Sequence, residues 1–351
     1  MKFVHTADIH LGANPDVGKK QAASRSQEIW NSFERVIDLC EEEKADLLLI
    51  CGDLFHRQPL VRELKEVNAI FSKLSKTEVV IIVGNHDYLK ADSYYRTFAW
   101  ADHVHVLLDK VIDYVEFPKF RTAVYGHSYH SKEIHEKTYA GATAEGRQPY
   151  EIFMLHGGDE KHIPVKKEEL EQLGYDYVAL GHIHKPQYLV RDRIAYAGAL
   201  EPIDKNDVGA HGCIVGEITK AGCRTEFVPI SIREYKHLSI EVTKEMSGHQ
   251  VKSLVKSTIE ANGRQNIYKI QLVGFHDPDI LFDLSGFDVY GNIVELTDKT
   301  KPAYDFEKLK RQNKNNILGC LIEEWGNCEK DSVEYLALCE GVQALMETRR
   351  T

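Results

Sequence analysis

The chain has 351 residues, 43% hydrophobic and 28% charged, the balance of an ordinary soluble globular protein long enough for two domains. A formal net charge of −10 speaks against a protein that grips nucleic acid over its whole surface. Apolar runs such as Leu47-Leu48-Leu49-Ile50 are strand-length, far short of the ~20 residues of a membrane span, and the seven cysteines form no Cys-x-x-Cys pair, which fits a reducing cytoplasm better than a disulfide framework or zinc cage.

Residues 1–5 run almost directly into Asp8, so cleavage of a twenty-residue leader would remove a candidate site residue. Residues 2–6 and 46–51 read as short buried strands. Between them Ser26 is a candidate cap for a helix with Ile29, Phe33, Val36, Ile37 and Cys40 on one face. A second crossover, carrying Leu60, Leu64, Val67, Ile70, Phe71 and Leu74, leads to a strand at 78–83. This alternation predicts a parallel sheet with right-handed crossovers and helices over its faces.

Beyond residue 100 short strands dominate: 104–107, 111–116, 122–126, 151–155, 177–181, 187–190, 194–197, 211–218 and 224–229. They predict the second half of a two-sheet sandwich with outer helices, residues 131–150 forming a surface loop. The expected fold class is α/β: a four-layer sandwich over residues 1–232, two mixed sheets flanked by helices. A small α/β module follows over 233–305, with strands at 237–242, 267–273 and 288–296, a helix at 249–262 and a short helix near 279–284. The tail, 306–351, reads as two helices, the first carrying Phe306, Leu309, Ile317, Leu318, Leu321, Ile322 and Trp325.

Five motifs fall at the carboxyl ends of the buried strands, where open α/β sheets collect ligands. They are Asp8-Ile9-His10, Gly52-Asp53-Leu54-Phe55-His56, Gly84-Asn85-His86-Asp87, His156-Gly157-Gly158 and Gly181-His182-Ile183-His184. The glycines at 52, 84, 157 and 181 are expected to permit tight turns. Asp8-x-His10 alone is weak, and Gly52-Asp53 alone is as often a turn. Gly181-His182-Ile183-His184 is more specific, because alternating residues on an extended segment share a face.

Together these side chains suit two neighbouring divalent cations. Such ions, about 3.5–4 Å apart, lower the pKa of a water they hold and stabilise attacking and leaving oxygens at phosphorus. The expected assignment has Asp53 bridging both ions, with Asp8, His10 and His184 completing one site and Asn85, His156 and His182 the other. Mixed oxygen and nitrogen ligands suit manganese, iron or zinc, without a choice among them. His86 is the candidate for protonating the leaving oxygen, and His56 for positioning the phosphate. His127 and His130 lack an accompanying carboxylate; His103, His105, His162 and His211 have no assignment.

In these five blocks, together with Tyr196-Ala197-Gly198-Ala199-Leu200, the chain resembles the calcineurin-like metallophosphoesterase superfamily, and within it the SbcD-type DNA repair nucleases. The resemblance covers about the first 230 residues well; that of residues 235–305 to the family's capping domain rests on element order alone. It implies a manganese-dependent exonuclease and endonuclease acting on DNA, a homodimer in the cytoplasm, working with an SbcC-like coiled-coil ATPase that docks on helices such as those of 306–351. It matches His86 and His56 to the family's catalytic histidines. A phosphodiesterase or phosphatase for a small nucleotide-type substrate, and a non-cleaving DNA-end-binding scaffold, are the alternatives. Residues 233–305 hold nine Lys/Arg against eleven Asp/Glu, a mildly acidic module, whereas Lys19, Lys20, Arg57, Arg62, Lys90, Arg96 and Lys185 lie near the motif loops.

Overall fold

The computed structural model describes residues 1–20, 22–329 and 332–348. It begins with strand β1 (Lys2–Thr6), helix α1 (Ala22–Glu43), β2 (Leu47–Cys51), α2 (Val61–Phe71), β3 (Glu78–Ile82) and β4 (Val104–Val106). There follow β5 (Asp113–Phe117), β6 (Thr122–Gly126), β7 (Tyr150–His156), α3 (Lys167–Gln172), β8 (Tyr177–Gly181), β9 (Gln187–Val190), β10 (Ile194–Tyr196), β11 (Gly212–Thr219) and β12 (Gly222–Pro229).

Two six-stranded sheets result, ordered β12-β11-β1-β2-β3-β4 and β5-β6-β7-β8-β10-β9. The first is parallel from β1 to β4, as the strand–helix alternation predicts, and antiparallel where β11 joins β1. The second is parallel from β6 through β7 and β8 to β10, with antiparallel β5 and β9 at its edges.

Strand β2 shows why these strands are apolar throughout, since a strand buried on both faces loses its polar alternation. Leu48 and Ile50 pack with Ile29, Phe33, Leu64 and Phe71 of the covering helices. Leu47 and Leu49 point the other way, to Ile152, Met154 and Tyr177 between the sheets. The outer face of the second sheet is covered thinly. Helix α3 spans six residues, and Tyr129, Tyr139, Ile163 and Tyr175 from the connecting segments pack in the same cluster. The 131–150 loop is therefore anchored, with Tyr139 fully buried.

Helix α1 begins at Ala22, so Ser26 lies inside it rather than capping it. Besides Glu28 one turn along, buried Arg25 in the added turn has distant partners, Glu201 and the Pro202 carbonyl. A local capping pattern carries no record of such contacts.

The chain forms two compact units, residues 1–236 with 265–267, and 237–264 with 268–351. Around the second lie β13 (Tyr235–Val242), α4 (Gly248–Asn262), β14 (Ile267–His276), β15 (Ile293–Asp298) and β16 (Lys301–Pro302), in a sheet ordered β13-β14-β15 with β16 on β14. Ser247 caps α4 by accepting from the Gln250 N–H, and Val251, Val255 and Ile259 of the helix pack on Tyr268, Ile270 and Leu272.

The helix expected at 279–284 is absent; a single 3-10 turn occupies Leu284–Gly286 instead. Asp277 takes the Asp279 N–H and Asp283 takes the Ser285 N–H, side-chain bonds that compete with a helical ladder. The strand expected from 288 starts at Ile293, because Asp288 Oδ1 accepts from the N–H groups of Asn292 and Ile293.

The tail belongs to this second unit as α5 (Phe306–Gln312), α6 (Ile317–Trp325) and α7 (Val333–Glu347). Where one helix was expected over 306–325 there are two, since Asn316 accepts from the Gly319 N–H and restarts the chain as α6. Leu318, Ile322, Leu338 and Val342 form their shared core. Among the described residues, no helix is long and apolar enough to cross a membrane.

Candidate metal centre

Asp8 and His10 follow β1, Asp53 follows β2, and Asn85 and His86 follow β3 in the first sheet. His156 ends β7, and His182 and His184 follow β8 in the second. Every side chain singled out in the five motifs therefore reaches the same rim of the sandwich.

The backbone there is strained. Asp8, His10 and Asp53 have φ of 48°, 53° and 49°, and His182 has 94°, conformations costing about 1–3 kcal/mol each outside glycine. They persist because the loops are cross-tied. Asp8 N–H donates to the Gly52 carbonyl at 3.1 Å and His10 N–H to the Asp53 carbonyl at 3.0 Å, while Asp8 Oδ2 accepts from the His182 N–H at 2.8 Å.

Of the motif glycines, Gly52 alone takes the expected turn conformation, at φ +85°. Gly84 and Gly181 serve a different need: a Cβ at 84 would land on Asp53 Oδ1, and one at 181 on the Cys51 carbonyl. These two positions are glycine so that loops from different strands can close on one another.

The imidazoles converge with ring nitrogens facing one another. His10 Nε2 lies 3.2 Å from His184 Nε2 and 3.9 Å from Asp53 Oδ2. His156 Nδ1 donates to the Cys51 carbonyl at 2.9 Å, which turns its Nε2 to Asn85 Oδ1 at 2.9 Å and Asp53 Oδ2 at 3.4 Å. His182 Nδ1 lies 3.2 Å from the same Asn85 oxygen. The donor atoms of Asp8, His10 and His184 fall within 4.8 Å of one another, as do those of Asp8, Asp53 and His156.

Burial sets the electrostatics. Asp8, at 0% exposure, has its carboxyl pushed up to about 6, chiefly by burial with Asp53 adding to it, against the opposing pull of His156 and His184. For Asp53, burial acts in the same direction but is outweighed by His156 and His10, and the carboxyl is held well below its usual range. Burial opposes the charge of His156 and His184 too, yet Asp53 raises the first to about 9 and Asp207 with Asp8 raises the second to about 9. His10, buried among other histidines, is driven well down.

These residues fit divalent cations. Asp8 Oδ1 is buried without a hydrogen-bond partner among the described residues, an arrangement that is costly unless something positive meets it. The donor set of carboxylate, amide oxygen and imidazole is one that manganese, iron and zinc accept.

His56 and His86 stand at the exposed mouth, their rings stacked with centroids 5.0 Å apart. His86 Nδ1 donates to the His56 carbonyl at 3.2 Å, leaving Nε2 as the nitrogen not so bonded. His56 Nδ1 faces His10 Nδ1 at 3.3 Å. His127 and His130 stay outside, bonded to Thr138 and the Leu108 carbonyl.

Sequence reasoning left three carboxylates without a role. Asp87, quoted within its motif, ties the loops together: its Oδ1 accepts from the Gly84 N–H at 3.0 Å, and its Oδ2 from the Phe55 N–H at 3.1 Å and Tyr95 Oη at 2.8 Å. Asp159 accepts from His182 Nε2 and from His162. Its position three residues after His156 was the one available signal. Asp207, which accepts from His184 Nδ1, has none.

A family model for the calcineurin-like phosphoesterases matches residues 1–186. The uncharacterized metallophosphoesterase YhaO of Bacillus subtilis is 27% identical over 279 residues, 74% of this chain and 67% of that protein. The DNA double-strand break repair protein Mre11 of Methanocaldococcus jannaschii is 30% identical over 274 residues, 70% of this chain and 73% of the other. Its namesake from Archaeoglobus fulgidus is 26% identical over 309 residues, 75% of this chain and 66% of that one. With the matched segment holding all five motifs, the chain belongs to the calcineurin-like phosphoesterase family and is a metal-dependent phosphoesterase.

Proposed function

We propose that this phosphoesterase is a DNA exonuclease and endonuclease of double-strand break repair or recombination. The observation that carries the reading is the gathering of Asp8, His10, Asp53, Asn85, His156, His182 and His184 at one rim, in a chain 30% identical to an archaeal Mre11. Asp8, His10, Asp53 and His184 hold one cation; Asp53, Asn85, His156 and His182 hold the other. Manganese is the metal proposed. A homodimer acting with an SbcC-like coiled-coil ATPase completes the reading.

Two divalent cations bound there supply a water-derived nucleophile at neutral pH and neutralise charge at phosphorus. The protein's own residues do the rest. Asn85 and the surrounding imidazoles fix the cradle, and Asp53 Oδ1 holds the 85–87 loop through the His86 N–H at 2.8 Å. His86 would act as the doubly protonated ring, keeping its Nδ1–H on the His56 carbonyl while the Nε2 proton passes to the leaving oxygen, and would end as the neutral imidazole. His56, exposed beside it, steers the phosphate. Of the nearby cations, Arg57 is tied to Glu63 at 2.7 Å, whereas Arg62, Lys90 and Lys185 are exposed and supply phosphate contacts along a strand.

The test incubates purified protein with manganese and linear double-stranded DNA, beside a bis-aryl phosphodiester. Cleavage of both is expected. Turnover of the small ester with intact DNA, even with the ATPase present, would replace the nuclease reading with a small-nucleotide phosphodiesterase. Binding of DNA ends without turnover of either substrate would mark a scaffold.

A further inference from the structure

His182 and His184 lie two residues apart on one stretch, yet they turn opposite nitrogens inward. His184 donates from Nδ1 to Asp207 Oδ2 at 3.1 Å, and its Nε2 faces His10. His182 donates from Nε2 to Asp159 Oδ2 at 2.8 Å, and its Nδ1 faces Asn85. An imidazole that binds a cation gives up the proton on the nitrogen it offers and keeps the one on the other. An acceptor held against one nitrogen therefore decides which is offered to a cation.

Both acceptors are themselves fixed. Asp207 Oδ2 also takes the Ile203 N–H at 3.0 Å and the Asp204 N–H at 2.9 Å. Asp159 Oδ1 takes the Lys161 N–H at 2.8 Å and the His162 N–H at 3.0 Å, and His162 Nδ1 lies 2.9 Å from the same oxygen. Neither carboxylate is free to swing away from its histidine.

We infer that Asp207 and Asp159 are positioning residues that impose opposite coordination on the two histidines, so that His184 offers Nε2 to one cation and His182 offers Nδ1 to the other. The inference rests on the two-cation reading. Nε2 lies farther from the backbone than Nδ1, so one short segment reaches two separate points. Two rings on this short segment that offered the same nitrogen would lack that difference in reach. Hydrogen-bond partners on the far nitrogen of a metal-binding histidine typically alter affinity 10–100-fold.

Two measurements test this on the full chain. Manganese titration of metal-free protein by calorimetry is expected to show two ions in the wild type. Asp207→Ala should weaken one of them 10–100-fold and Asp159→Ala the other. Asp207→Asn, whose amide oxygen can accept all three bonds made by Oδ2, should recover most of the loss. Long-range proton–nitrogen NMR of the zinc-loaded, histidine-labelled protein should place the metal on Nε2 of His184 and Nδ1 of His182.

The same nitrogen on both rings overturns the inference, as does two-ion binding that neither alanine variant changes. A wild type binding fewer than two ions would instead defeat the two-cation reading itself, a distinct outcome. Should Asp207→Ala fail to fold, Asp159→Ala carries the test, because its carboxylate is half exposed.

Discussion

Asp53 Oδ1 accepts the backbone N–H of His86 at 2.8 Å. The carboxylate proposed to sit between two cations thus also fixes the loop carrying the proposed acid, and Oδ2 alone is left to face His10 and His156. The proposed metal binding and acid placement would be joined at this one side chain.

Asp53→Ala is therefore expected to lose both ions and all turnover. Metal content by mass spectrometry after manganese loading decides it, and full occupancy would contradict a bridging role.

His86→Ala should behave differently. Its side chain lies at the exposed mouth and bonds to a carbonyl, so two ions remain while turnover falls by about 10²–10⁴, the usual contribution of a positioned acid. Loss of metal in this variant would move His86 from proton donor to ligand.

The convergence of these side chains was legible in the sequence because each motif stands at the end of an apolar strand, and strand ends in α/β sheets collect ligands. Leu47 to Cys51 and Tyr177 to Gly181 announce their strands by uninterrupted apolar character, and the structure places both within a residue of expectation. What could not be read has a common origin. The early start of α1 carries Arg25, which meets Glu201, 176 residues away. The role of Asp207 depends on His184, 23 residues earlier. Neither contact leaves a local pattern. The false helix at 279–284 failed for the opposite reason: Asp277 and Asp283 satisfy nearby N–H groups locally, and composition alone did not reveal it.

Asp87→Asn should destabilise the fold by about 1–3 kcal/mol, the cost of an unsatisfied buried polar group. The carboxylate accepts on both oxygens, from Gly84 on one side and from Phe55 and Tyr95 on the other. An amide must set its own N–H against one of those donors. Tyr95→Phe, which leaves the Phe55 bond in place, should lose less; urea unfolding of the two variants gives the ranking, and the reverse order would refute the clamp.

Glu28 makes stability fall with acid. Burial favours its neutral form, but bonds from Arg233, Arg25 and Ser24 prevail and hold the carboxyl at about 2, against 4.5 for the ordinary group. The unfolded chain thus takes up the proton first. The contribution is complete above about pH 4.5 and is lost as pH falls towards 2, on the order of 3 kcal/mol across that window. The stability gap between wild type and Glu28→Gln should narrow as pH is lowered from 4.5; a constant gap would show that the ion pairs are not its source.

Strained residues at Asp8, His10, Asp53 and His182 come from both sheets. The rim is consequently a clasp across the sandwich, not an ornament on one layer. Chelation would then do more than silence chemistry: it would remove a tie between the two halves of the first unit, and the amides at these strand ends would exchange with deuterium faster than in the metal-loaded protein.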